Sequence, residues 1–167
     1  MALNRGKEFE NMYYKATVAL QNEGYPVDVS RLYDVVNKKT IEQPADYIAF
    51  REPNEIYVEC KSTNDTSFDY YDQPQYTRLI KKSLIKGVRA GMLVWFVKLK
   101  RVFWVDARFL QGFYASYKLK SFTVGRLVQM IESKVDGVFE VEQETKRVNP
   151  EMRLRSLYNY ISGEIDD

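Results

Sequence analysis

The chain has 167 residues, a formal net charge of +2, 45% hydrophobic and 14% aromatic residues, which suits one compact domain with a real core and excludes a disordered or fibrous chain. It has no histidine and one cysteine, which excludes a Ser-His-Asp triad, a Cys-His dyad, a His-ligated metal, an internal disulfide and a Cys-rich zinc site. The longest wholly apolar run, 91–97, is too short for a membrane span, and Met-Ala-Leu-Asn-Arg-Gly-Lys at the start lacks the apolar stretch of a signal peptide, so a cytoplasmic setting away from membranes is expected.

Asn4 opens a predicted helix reaching about Asn22, with Phe9, Met12, Tyr13, Ala16 and Leu20 at helical spacing, and Gly24 and Pro26 end it. Residues 27–36 read as a strand and 37–44 as a polar connection. Residues 45–51 and 55–61 read as two strands of a hairpin joined through Glu52-Pro53-Asn54. A polar loop is expected over 62–71. A helix then starts at Asp72 or Gln73, with Pro74 in its first turn, and reaches about Lys86. Strands follow at 92–99 and 102–106 with a turn at Lys100 and Arg101, then helices at 109–117 and 123–133, a short strand at 138–142 and a C-terminal helix at 150–162. This order implies an α/β fold built on one central mixed sheet flanked by helices.

Charge is unevenly spread. Residues 73–131 hold twelve Lys or Arg against the single acid Asp106, a net +11, and the remainder carries −9. The basic part suits a polyanion and the acidic part a metal ion, although two solvated faces give the same count. Tyr76, Trp95, Phe96, Phe103, Trp104, Phe113, Tyr114 and Tyr117 interleave with the basic residues and are mostly expected in the core.

The residues with chemical potential are Asp46 and, after twelve intervening residues, Glu59-Cys60-Lys61. Side chains alternate along a strand, so Glu59 and Lys61 share a face, and a hairpin of this length returns Asp46 beside Glu59. Two carboxylates and the Cys60 carbonyl would make an oxygen-only site suited to Mg²⁺ or Mn²⁺. Lys61 beside it would orient a metal-bound water or stabilise charge growing on a phosphate. The plain alternative for Glu-x-Lys is a solvated strand face with a weak ion pair. Glu10 lies one residue after the core anchor Phe9 and could reach the sheet edge, or simply favour the helix dipole. Gln75 could complete a capping box with Asp72, or reach a metal-bound water or phosphate.

Asn4-Arg5-Gly6 followed by Phe9-Glu10, then Asp46, Glu59-Cys60-Lys61 and Gln75 resembles the RecU-type Holliday-junction resolvases of Gram-positive bacteria and their phages. Val58-Glu59-Cys60-Lys61-Ser62-Thr63 is also similar to the central strand of archaeal Holliday-junction resolvases. Both groups belong to the PD-(D/E)xK nuclease superfamily, and the resemblance covers about residues 3–106. It implies a restriction-endonuclease-like core over 1–167 as a single nuclease domain, with a short stalk-like insertion at 32–43 and a C-terminal helical segment at 150–163. It implies Glu10, Asp46 and Glu59 around Mg²⁺, with Cys60 contributing, Lys61 as the catalytic lysine and Gln75 as the glutamine that follows the active-site strands. The implied activity is paired, symmetric nicking of four-way DNA by a homodimer in recombination and repair. Arg5, Lys7, Arg78, Lys81, Lys82, Lys86, Lys98, Lys100 and Arg101 are the expected DNA contacts. The dimer contact is sought on the stripe of the C-terminal helix or near 113–117, both of which could instead pack inside the monomer. Here Ala45 stands between Pro44 and Asp46, so the superfamily's Pro-Asp pair is not literal. Two alternatives stand beside this reading: another nuclease of the superfamily acting on duplex, flap or branched DNA, and a non-catalytic DNA-binding protein.

Overall fold

The computed structural model of the chain describes residues 5–33, 35–36, 39–40, 42–143 and 151–163. Its centre is a pair of long apolar strands, β5 (Asn54–Thr63) and β7 (Val88–Phe96), which run parallel in register from Glu55↔Val88 to Thr63↔Phe96. Every other pairing in this sheet is antiparallel. On one side stand β4 (Tyr47–Arg51) and β1 (Asp28–Arg31), and on the other β8 (Arg101–Asp106), β10 (Val138–Gln143) and β11 (Met152–Arg153). The result is the expected central mixed sheet, here of seven strands.

Central strands buried on both faces need cover on both. On one face, α1 (Arg5–Asn22) and α5 (Arg155–Ser162) pack over Val58, Cys60, Trp95 and Trp104. The spacing of Phe9, Tyr13 and Thr17, four residues apart each time, presents one stripe of α1 to the sheet. Tyr158 of α5 joins this stripe through its hydroxyl, 2.8 Å from the Tyr13 hydroxyl and 2.7 Å from Thr17 Oγ1. On the other face, α2 (Gln75–Ser83), α3 (Ala107–Tyr117) and α4 (Val124–Glu132) bury Leu79, Leu110 and Leu127 against Tyr57, Met92 and Phe103. Asp106 caps α3 by accepting from the Arg108 amide, and Thr123 caps α4 by accepting from the Arg126 amide.

Several predicted elements are redrawn. The strand expected over 27–36 stops at Arg31; Val35–Val36 (β2) pairs instead with Lys39–Thr40 (β3) in a separate ribbon inside the 32–43 insertion. Positions 34, 37, 38 and 41 of that insertion lie outside the described residues, as does the expected helix cap Asn4. The loop expected over 62–71 contains β6 (Ser67–Asp69), which pairs antiparallel with β9 (Ser121–Thr123). Phe68 stands opposite Phe122 there and both are buried. The helix expected to reach Lys86 ends at Ser83, with Leu84 as its C-cap, so Lys86 falls beyond it. The C-terminal helix begins only at Arg155; β11 precedes it, and Pro150 is outside the described residues. Its stripe of Leu154, Leu157, Tyr158 and Ile161 is buried within the monomer, as is Phe113, which leaves Tyr117 exposed in the second region considered for a dimer contact.

Candidate active site

The site arises from a mismatch in strand length. The β4–β5 ladder ends at Tyr47↔Val58, while β5 continues to Thr63 against β7 alone. From Glu59 onward, β5 therefore has one edge not paired by β4. Asp46, the residue just before β4, closes the first step of that edge: its Oδ2 accepts the Cys60 amide at 2.9 Å. Its own carbonyl accepts the Leu32 amide at 2.8 Å, which extends the β1–β4 ladder by one residue and fixes the backbone. The N–H and C=O of one strand residue point to the same side, so the Cys60 carbonyl faces this notch as well.

Glu59 and Lys61 share a face of β5 with Tyr57, the face that α2 covers, while Val58 and Cys60 face α1. Lys61 Nζ lies 3.4 Å from Glu59 Oε1. Glu10 reaches the notch from α1. The Tyr47 hydroxyl donates to the Glu10 carbonyl at 3.0 Å and holds that turn of the helix over the end of β4. Arg31 Nη2 sits 3.7 Å from Glu10 Oε2.

Asp46 is the carboxylate that both other acids feel. Burial, followed by the Asp46 charge and a hydrogen bond shared with it, raises Glu10 from 4.5 to about 7, against the pull of Arg31 and Lys61. Glu59 is 3% exposed. Burial and the Asp46 charge raise it from 4.5 to about 8, against the pull of Lys61. The Cys60 thiol, wholly enclosed, is pushed well above its usual range by burial and by the same acids, which leaves it protonated and inert.

Among the described residues, no group of three or more Asp, Glu or Cys side chains stands as a ready metal cage. Glu59 is turned to Lys61 and Glu10 to Arg31. The donor set nevertheless fits a hard divalent cation, because Mg²⁺ keeps several waters and needs only one or two carboxylates. Asp46, Glu59 and the Cys60 carbonyl are the oxygen donors facing the notch.

Gln75 is the first residue of α2, with Pro74 at the N-cap and no side-chain cap bond. The capping box with Asp72 is not formed; the Asp72 amide instead donates to Asp69 Oδ1 at 3.3 Å. Gln75 Oε1 is buried with no hydrogen-bond partner. The same helix turn is tied towards the notch, since Arg78 donates to the Gln43 carbonyl, three residues before Asp46.

The expected DNA contacts are scattered. β5 and β7 end at one rim, so the β7–β8 turn with exposed Lys98 and Lys100 lies at the notch end of the sheet. Arg5 is there too, 5.9 Å over the Trp95 ring and 3.3 Å from Glu8, with exposed Lys7 beside it. Arg101 is committed to Glu140 through two bonds of 2.6 Å. Lys82 lies 5.0 Å over the Tyr57 ring and Lys81 is exposed. Lys86 precedes Val88, the partner of Glu55, four residues and about 13 Å down the strand from Glu59. Sequence reasoning passes over Arg31 and Tyr47. The parity of Val27 and Val29 does place Arg31 on the face that meets α1, where a cation in an apolar series is a detectable signal.

No family model matches the sequence, and no curated protein matches it. Among solved structures, the chain is similar to the 1.6 Å structure of Hjc, a Holliday junction resolvase from the archaeal hyperthermophile Archaeoglobus fulgidus. The likeness covers 59% of this chain and 76% of that one, at 13% sequence identity and a TM-score of 0.42.

Proposed function

We propose that the chain is a metal-dependent endonuclease of the PD-(D/E)xK type, with four-way DNA junctions as its substrate and a homodimer as its working form. The observation that carries this reading is the notch: Asp46 bonded to the Cys60 amide at 2.9 Å, Glu59 and Lys61 on one strand face beside it, and Glu10 brought in by α1. Three acids and an amine from separate segments are gathered where a strand edge is open to a ligand.

Asp46, Glu59 and the Cys60 carbonyl would hold Mg²⁺, with Mn²⁺ as a substitute. When bound, such an ion supplies Lewis acidity and a water nucleophile at neutral pH. Glu59 Oε1 holds the Lys61 ammonium at 3.4 Å, where it can orient water or meet the charge that develops on a phosphate oxygen. With no ion bound, burial and the Asp46 charge raise Glu10 to about 7; a cation on Asp46 would favour its ionised form and draw Glu10 into the acidic set around the metal. The unpartnered Gln75 Oε1 is available to accept from a water in the notch. Lys98, Lys100, Arg5 and Lys7 would contact phosphates, which favours selection by DNA shape over base readout.

The variants Asp46→Asn and Lys61→Ala test the assignment. Each is expected to bind DNA as the parent chain does and to cleave it about 10²–10⁴-fold more slowly in Mg²⁺. A fully active Lys61→Ala enzyme would remove this mechanism.

A further inference from the structure

The ribbon of β6 and β9 holds a cluster that the notch does not use. Tyr70 is fully buried, stacks on Phe122 with centroids 5.8 Å apart, and donates its hydroxyl to the Leu119 carbonyl at 2.6 Å. The amides of Tyr70 and Tyr71 both donate to the Lys120 carbonyl, at 3.2 and 3.3 Å. Lys118 is fixed in the left-handed region, φ +55°, as the C-cap of α3. The backbone of 118–120 is therefore pinned on three sides.

Outside this frame, Tyr71 stacks on Tyr114 with centroids 4.4 Å apart. Lys120 Nζ lies 5.1 Å from the Tyr71 ring and Lys118 Nζ lies 5.3 Å from the Tyr114 ring. Both lysines are exposed, and among the described residues neither makes an ion pair. Tyr114 acts on the phenol of Tyr71, and Lys120 acts on the same group. Arg126 lies 5.1 Å from the Tyr117 ring on the flank. The nearby acids are Asp72, which also acts on Tyr71, and Asp69, which accepts from the Asp72 amide.

The cluster shares a rim with the notch. Phe122 meets Phe96 edge to face at 6.4 Å, and Phe96 is the register partner of Thr63, two residues beyond Lys61. We propose that Lys118 and Lys120, with the Tyr71 and Tyr114 hydroxyls, form a phosphate-binding anchor for the DNA backbone on the rim that carries the cleavage site. Two ammonium groups supply charge, and two phenols supply short hydrogen bonds to phosphate oxygens. Cation–π contact and the pinned backbone hold the lysines in place before DNA arrives, so little ordering entropy is lost on binding. The proposal rests on the reading of the chain as a DNA-cleaving enzyme and adds an anchor that composition does not single out.

The test is a salt titration of affinity, read by fluorescence anisotropy with a labelled four-way junction, on the full chain. Lys118→Gln with Lys120→Gln is expected to weaken binding about tenfold near 0.1 M salt and to flatten the log–log salt slope by about two. Lys118→Arg with Lys120→Arg keeps the slope. Tyr71→Phe with Tyr114→Phe weakens binding at an unchanged slope. Lys15→Ala, an exposed site on α1, leaves both unchanged. Parental affinity and slope in the double glutamine variant, with its melting temperature also parental, would overturn the anchor while leaving the cleavage proposal standing. A parent chain that binds the junction and responds to the glutamine pair, yet never cleaves, would remove the nuclease reading and keep the anchor. A parent chain that binds no DNA would remove both.

Discussion

Among single residues, Asp46 governs the electrostatics of the notch. One of its oxygens is spent on the Cys60 amide, and its charge is the reason, after burial, that Glu10 and Glu59 hold their protons to about 7 and about 8. Both groups bind protons more tightly in the folded chain than in the unfolded one. Their contribution to stability is therefore complete below about pH 4.5 and is lost as pH rises through 7 and 8. In buffer with EDTA, the melting temperature should fall from pH 5 to pH 9, and Glu59→Gln should flatten much of that decline. A melting temperature that rises over this interval would mean that the acids are not crowded as described. Millimolar Mg²⁺ should recover stability most strongly at the alkaline end, because the ion binds the ionised carboxylates of the folded state. Asp46, Glu59 and Lys61 are legible in the sequence because a hairpin has period two and its turn sets the register. The role of Gln75 is less so: the spacing to Asp72 suggests a capping box, but Pro74 takes the N-cap position and leaves Gln75 Oε1 unpartnered.

At the scale of elements, long periodic segments are readable and short non-local pairings are not. The α1 stripe, the β4–β5 hairpin and the β7–β8 hairpin follow from local alternation or helical spacing. The β6–β9 ribbon joins segments more than fifty residues apart through three residues each, too few for a pattern to show. β1 ends at Arg31 because the chain then turns into the β2–β3 ribbon, which a run of Val and Tyr does not reveal. The β7–β8 contact leaves no space at Gly91, where a Cβ would meet the Val105 carbonyl at 2.6 Å and the Trp104 ring at 2.7 Å. Gly91→Ala should therefore cost about 1–3 kcal/mol through overpacking, and a thermal or urea melt would show it as a clear loss. Tyr158→Phe removes the hydroxyl that joins α5 to both Tyr13 and Thr17. It should cost about 1 kcal/mol and leave cleavage unaffected, which separates the packing of α5 from the chemistry of the notch.

For the whole molecule, the uneven charge in the sequence becomes a rim. Lys98 and Lys100 lie where β5 and β7 end, Lys118 and Lys120 lead into the β9 strand whose Phe122 packs on Phe96 there, and Arg89 and Arg101 are drawn into ion pairs with Asp106 and Glu140. Counting basic residues between 73 and 131 thus overstates the charge offered to a polyanion. Among the described residues, no helix is long and apolar enough to cross a membrane. The proposed dimer would impose two-fold geometry on its substrate, which a four-way junction matches and a linear duplex does not. The most direct test of the central claim is a denaturing gel of end-labelled strands after incubation with the purified chain and Mg²⁺, with a synthetic four-way junction beside a duplex of the same sequence. A junction-selective dimer should leave paired nicks at symmetric positions in two opposing strands of the junction and an intact duplex. An uncut junction in both Mg²⁺ and Mn²⁺, with binding retained, would contradict that claim.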